Sequence, residues 1–220
     1  MNAFQGLPPG LFEYFADLRS DNSKMFWLAN KQRWEREVRM PMRAMIAELS
    51  AEFGPLRMFR PNRDVRFSAD KSPYKLWTGA TSETQAVGGI GYYFEVSASG
   101  IATGYGAMAM SSEQLRRFRA AIDDETSGTT FEQLSDTLAA QSLPISHGAD
   151  APLKIAPRDY PADHPRIRFL RWKGAAIVRE WETADWMHSR ESLESIRRVW
   201  HGAAPLKAWL NAQVAAPPPQ

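Results

Sequence analysis

The sequence predicts an α+β domain: a mainly antiparallel sheet flanked by N-terminal, middle and C-terminal helices. Apolar residues recur at helical spacing near both ends of the chain, switch to period two in segments between residues 63 and 110, and return to helical spacing after Ser111. Strands therefore cluster between blocks of helix instead of alternating with them. No repeat of roughly 20 to 50 residues is present, so a doubly wound sheet and a solenoid are both disfavoured.

The first helix is expected from about residue 9 to 19, where Pro8 and Pro9 precede the stripe Leu11, Phe12, Phe15 and Leu18. Ser23 can cap a second, with Phe26, Trp27, Asn30, Trp34 and Val38 on one face, ending near Pro41. Met42, Met45, Ile46, Leu49 and Phe53 resume the helical period until Gly54-Pro55 stops it. Arg63 to Ser68 alternates, with Val65 and Phe67 on one face, and reads as a strand; Tyr74 to Ala80 reads as another. Gly91 to Ser97 and Ile101 to Met110, joined by Ala98-Ser99-Gly100, form the clearest hairpin. Capping boxes at Ser111-Ser-Glu-Gln114 and Thr130-Phe-Glu-Gln133 announce two helices. Five prolines make residues 144 to 165 irregular before a helical turn at Ile167 to Leu170 and a late strand from Gly174 to Glu182. Leu193, Ile196, Val199 and Trp200, then Leu206, Trp209 and Leu210 after Pro205, give two closing helices.

At 220 residues, with 44% hydrophobic and 24% charged side chains, the chain can bury a substantial core. We expect a single domain over residues 1–214 and a frayed, proline-rich tail over 215–220. The absence of cysteine excludes disulfides, a thiolate nucleophile and a cysteine-based zinc site. The N-terminal residues lack the basic and apolar regions of a signal peptide, and no apolar run is long enough to span a bilayer, so a cytoplasmic location and no membrane partner are expected. A balance of 27 basic against 25 acidic residues gives no reason to expect a nucleic-acid partner. No cofactor is expected.

The chemistry concentrates in one segment. From Arg57 to Lys75 there are six basic residues and two acids, a local net charge of +4 in a chain that carries only +2. Arg63, Arg66, Lys71 and Lys75 can donate charge-assisted hydrogen bonds to a phosphate or carboxylate, arginine in bidentate fashion. The same residues can instead form an internal network, with Asp64 and Arg66 paired and Asp70 and Lys71 solvating a turn. Tyr74 reads either as core or as a hydrogen-bonding wall of the site. Ser68-Ala-Asp-Lys71 and Ser72-Pro-Tyr-Lys75 fit the S-x-x-K pattern of penicillin-recognising acyl transferases, but Ser20-Asp-Asn22 lies on the wrong side and no K-T-G follows. Gly104-Tyr-Gly-Ala-Met-Ala109 matches a loose dinucleotide fingerprint, yet its glycines fall inside a hairpin strand rather than at a strand-to-helix turn. His164, beside Asp163, reads as a surface or capping histidine, and the tryptophans near the C-terminus read as core.

The run Arg63-Asp-Val-Arg-Phe-Ser-Ala-Asp-Lys-Ser-Pro-Tyr-Lys75 resembles the RDxRFSxDKxPYK signature of the bacterial and fungal family named domain of unknown function 2461. Asp21 to Lys31, Gly91 to Val96 followed by Gly104-Tyr-Gly106, and Asp163 to Lys173 are similar to further segments of that family in the same order, so the resemblance covers about residues 7 to 210. Asp21-Asn22 and Phe26-Trp27 stand where the family more often has Asn-Asn and Trp-Phe. The resemblance implies a soluble α+β domain and a shared motif. It carries over no catalytic residue.

Three functional readings follow. In the first, Arg63, Asp64, Arg66, Lys71, Tyr74 and Lys75, with Arg168 or Arg171 from a second basic cluster, bind a small anionic or phosphorylated ligand. In the second, a hydrolase or transferase uses Asp64 or Asp70 as base and Arg66 or Lys71 as electrostatic stabiliser. In the third, the motif only locks the sheet of a structural or partner-binding module. Loss of Arg66 would then unfold the protein, whereas in the ligand-binding reading substitution of Lys71 or Lys75 would weaken binding and leave stability intact.

Overall fold

The computed structural model describes residues 3–83 and 89–215; the expected tail lies outside the described residues apart from Ala215. Helix α1, Pro9–Ser20, starts on a proline, whose missing N–H is no loss in a first turn, and buries Leu11, Phe12, Tyr14, Phe15 and Leu18. Ser23 caps α2, Lys24–Ala29, by accepting from the Phe26 amide at 3.0 Å. A short turn, α3 (Lys31–Arg33), leads into a π-helical segment, Trp34–Arg39, and then α4, Met40–Phe53.

The helix does not stop at Pro41, as its sequence suggests. The π turn explains why: the Met40 amide donates to Glu35 O, five residues back, and the widened turn puts Pro41 in the first turn of α4, where no intrahelical donor is needed. Gly54 ends α4 with φ +92°, a conformation open to glycine and strained for other residues.

Strands β1 (Leu56–Met58), β2 (Trp77–Ser82), β3 (Gly91–Ser97) and β4 (Gly100–Ala107) follow, then α5 (Ser112–Asp123), α6 (Glu125–Ala140), β5 (Ile145–Ser146), α7 (Ile167–Leu170), β6 (Ala175–Glu182), α8 (Glu191–Gly202) and α9 (Ala204–Gln213). The six strands form one antiparallel sheet in the order β1-β2-β3-β4-β6-β5, so the fold is α+β with the 91–107 hairpin at its middle. Leu56 lies opposite Ser82, Trp77 opposite Ser97, and Ile145 opposite Ile177.

No strand forms over Arg63 to Ser68. A strand needs a neighbour for its amides and carbonyls, and here the Arg63 amide bonds Pro73 O at 2.8 Å while Val65 O receives the Ser68 amide and the Lys71 ammonium. The segment folds back on itself as a loop, and Phe67, expected to anchor a strand face, is 98% exposed.

The packing groups residues into two compact units. The first contains residues 1–83, 93–103 and 180–198; the second contains 84–92, 104–179 and 199–220. In the second, Phe131 packs against Phe118, Phe169 and Trp209 at centroid distances of 5.6, 5.1 and 4.5 Å, and Trp200 stacks on Tyr92 at 4.6 Å. These tryptophans are core, as their helical spacing predicts. The Ser111 capping box is present, but the Thr130 one is not: α6 begins earlier, at Asp124, which accepts from the Ser127 amide, and the Thr130 hydroxyl bonds Thr126 O inside the helix. Arg166, 4% exposed, donates to Ile122 O and Asp123 O at the C-terminal end of α5. Gly128 in α6 leaves room for that guanidinium, since a Cβ there would lie 2.5 Å from Arg166 Nε.

Among the described residues no helix is long and apolar enough to cross a membrane. The glycines of Gly104-Tyr-Gly106 serve strand packing: a Cβ on Gly104 would sit 2.0 Å from Ile177 O, and one on Gly106 2.3 Å from Ala175 O. Gly104→Ala should therefore lower unfolding free energy by about 1–3 kcal/mol, the cost of forcing backbone apart in a packed interior. Chemical denaturation checks it, and a variant as stable as the parent would refute the close approach.

Candidate functional site

The loop from Phe59 to Leu76 is closed at its neck by paired backbone bonds. The Lys75 amide donates to Pro61 O and the Arg63 amide to Pro73 O, both at 2.8 Å, around an isolated Asn62–Tyr74 bridge. The Lys75 ammonium bonds two further carbonyls of the neck, Arg60 O at 2.8 Å and Asn62 O at 2.6 Å, and lies 5.8 Å from the Trp77 ring centre. Burial and the neighbouring charges of Arg60 and Arg63 lower its pKa.

Asn22, just before α2, grips the neck from outside. Its carboxamide donates to Tyr74 O at 2.9 Å and accepts from the Tyr74 amide at 3.1 Å. This is the pairing a neighbouring strand would offer, supplied by one side chain. Tyr74 is 6% exposed, and its ring stacks on Trp27 at 4.5 Å with 13° between the planes. Of its two readings, core is the one observed.

The charged groups of the loop bond to the loop itself. Arg63 pairs with Asp70 and reaches Ser72 O at 3.4 Å. Arg66 makes a two-pronged pair with Asp64, Nε to Oδ1 at 3.0 Å and Nη2 to Oδ2 at 2.6 Å. Lys71 bonds Val65 O at 3.0 Å. Asp70 accepts from the hydroxyl and the amide of Ser72, which with Arg63 hold its carboxyl far below the usual carboxylate range; Arg66 lowers that of Asp64. The cations predicted to converge on an anion are thus each engaged by an acceptor of the loop.

Arg168 and Arg171 belong to the second unit. Arg168 reaches Glu132 at 3.3 Å and lies 4.3 Å from the Phe169 ring centre, while Arg171 Nε is buried without a hydrogen-bond partner among the described residues. His164 takes the capping role: its Nδ1 accepts from the Arg166 amide at 3.0 Å, and its Nε2 lies 3.1 Å from Asp123. Among the described residues no group of three or more His, Cys, Asp or Glu side chains could hold a metal ion.

An open groove adjoins the loop neck. It has a volume of about 550 Å3 and is lined by Trp34, Arg39, Arg43, Ile46, Ala47, Leu56, Met58, Phe59, Arg60 and Pro61, with no carboxylate among these described residues. Arg39 pairs with Glu35 at 2.8 Å and lies 5.9 Å from the Trp34 ring centre. The side chains of Arg43 and Arg60 make no hydrogen bond or ion pair with any described residue. Sequence reasoning counted Arg60 in the local charge excess and passed over Arg39 and Arg43. Their i, i+4 spacing across Met40 and Pro41 was the available signal.

The chain matches the sequence model of the family described as "Conserved hypothetical protein (DUF2461)" over residues 10–209, and it belongs to that family. No curated protein and no solved structure matches it.

Two outcomes follow from the loop's internal bonding. Asn22→Ala should cost about 1–3 kcal/mol, because it strands a part-buried amide and carbonyl of Tyr74. Arg66→Ala should leave the urea midpoint nearly unchanged, because its pair is exposed. Urea denaturation of both variants measures the difference, and equal losses would contradict the assignment. For Asp70, whose folded pKa lies below its ordinary value of 3.8, the stabilising contribution is present above that value and lost as pH falls through the folded one. The stability gap between wild type and Asp70→Asn should accordingly close on acidification below about pH 4, as followed by denaturation across pH 2 to 7. A gap that widens toward acid would contradict it.

Proposed function

We propose that the protein binds a small organic anion in the groove beside the 59–76 loop rather than on the loop's own cations. One observation carries this reading: Arg43 and Arg60, whose side chains have no hydrogen-bond or ion-pair partner among the described residues, line one groove together with Arg39, and no acid is among its described lining residues. Two free guanidinium groups suit a phosphate or carboxylate, which each can engage through paired N–H donors. The remaining lining, Trp34, Ile46, Leu56, Met58 and Phe59, is apolar, and the volume exceeds that of a bare inorganic anion. The ligand therefore has an apolar body and an anionic head.

The motif supports this site from behind. Phe59, Arg60 and Pro61 enter the groove wall from the stem of the loop, and the Lys75 ammonium holds the Arg60 carbonyl. Lys75 thus contributes to stability, not to ligand contact, and its replacement is expected to loosen the fold. The hydrolytic reading that used Asp64 or Asp70 as base finds no support, because carboxylates held this far toward the ionised form by hydrogen bonds are weak proton acceptors.

Thermal shift and calorimetric titration with phenyl phosphate at low and moderate salt test the proposal. Wild type should be stabilised. Arg43→Ala and Arg60→Ala should each weaken binding by roughly 10- to 100-fold, as expected for loss of a charge-assisted contact of about 1.5–3 kcal/mol, whereas Lys71→Ala should bind like wild type. No stabilisation of wild type, or binding that survives both arginine substitutions, overturns it.

A further inference from the structure

Behind the groove lies a second, much smaller space. Trp34, Phe59 and Pro61 line both, and the inner cavity is completed by Tyr14, Phe15, Leu18, Trp27, Lys75, Trp77 and Thr78. Its volume is about 10 Å3, close to the roughly 10–15 Å3 that one water molecule needs. Tyr14 is fully buried, and its hydroxyl has no hydrogen-bond partner among the described residues. A buried polar atom without a partner is rare in folded proteins because it forfeits its hydration. Lys75 uses two of its three N–H donors on Arg60 O and Asn62 O. Thr78, 5% exposed, brings a hydroxyl that can both donate and accept. Apart from indole nitrogens, these three are the polar side chains among the described lining residues, which are otherwise aromatic and aliphatic.

We propose that this cavity is a built site for one structural water, which accepts from the Tyr14 hydroxyl and the Lys75 ammonium and donates to the Thr78 hydroxyl. The size admits a single small acceptor, and the lining supplies the two to four polar partners that a buried water requires. A water here ties α1 through Tyr14 to the loop neck through Lys75 and to β2 through Thr78, beneath the aromatic wall of the proposed groove. The inference does not depend on what the groove binds.

Tyr14→Phe gives a test in which the sign decides. Phenylalanine keeps the ring, so packing is preserved and the variant should fold. With the water in place, the substitution removes one of its partners and should lower Tm by about 2–4 °C, the shift that ~1 kcal/mol produces in a chain of this length. Without it, Tyr14→Phe deletes an unsatisfied buried hydroxyl, and Tm should stay level or rise. A crystal structure grown in bromide completes the test. A water-sized peak without anomalous signal within hydrogen-bond distance of Tyr14 Oη supports the proposal; an anomalous peak there shows a halide site and overturns it, as does an empty cavity or a Tm that does not fall.

Discussion

The ammonium of Lys75 joins the two sides of the loop neck on which the arrangement of the candidate site depends. It joins two backbone carbonyls, Arg60 O and Asn62 O, across the neck of the 59–76 loop, where two backbone pairs and the Asn22 clamp already meet. Among the described residues the Lys75 ammonium faces two carbonyls and the Trp77 ring and has no carboxylate partner, the arrangement expected where a cation serves to fix backbone rather than to attract a ligand. Three consequences depend on it. Tyr74 is presented to Trp27, the stem residues Phe59 to Pro61 are directed into the groove wall, and the loop's other charged groups come within reach of one another.

A cluster of basic residues in sequence is therefore a poor guide to where positive charge is available. Between Arg57 and Lys75 the most conspicuous cations bond to Asp64, Asp70 and loop carbonyls. Two guanidinium groups without a hydrogen-bond partner among the described residues, those of Arg43 and Arg60, line a groove assembled from α4, the π turn, β1 and the loop stem. Asp64 and Asp70 follow the same logic: the donors around each carboxylate stabilise it as an anion and lower its pKa.

Much of the fold was legible because its signals are local. The hairpin through Ser99-Gly100, the Ser23 cap, the Ser111 capping box and the closing helices each rest on residues a few positions apart. The failures are nonlocal. Alternation over Arg63 to Ser68 has the period of a strand, but the partners of its backbone are Pro73 O, a Lys71 side chain and its own turn, none of which periodicity reveals. Pro41 reads as a stop unless a π turn precedes it. Thr130-Phe-Glu-Gln133 reads as the start of a helix, but α6 begins at Glu125 and runs through it, and Arg166, distant in sequence, fills the space that Gly128 leaves. Of the candidate site, the segment was legible and its wiring was not: Arg60 joins Arg43 where β1 and the loop stem return along α4 after the Gly54 turn.

Amide hydrogen exchange on wild type and Lys75→Met tests the central claim most directly. Methionine keeps the length and apolar packing of lysine and removes only the ammonium. The Arg63 and Lys75 amides, bonded to Pro73 O and Pro61 O, should be strongly protected in wild type and lose most of that protection in the variant, while amides of the Gly91–Ser97 strand keep theirs. Fast exchange of those two amides in wild type, or unchanged protection in Lys75→Met, would contradict a neck locked by the lysine.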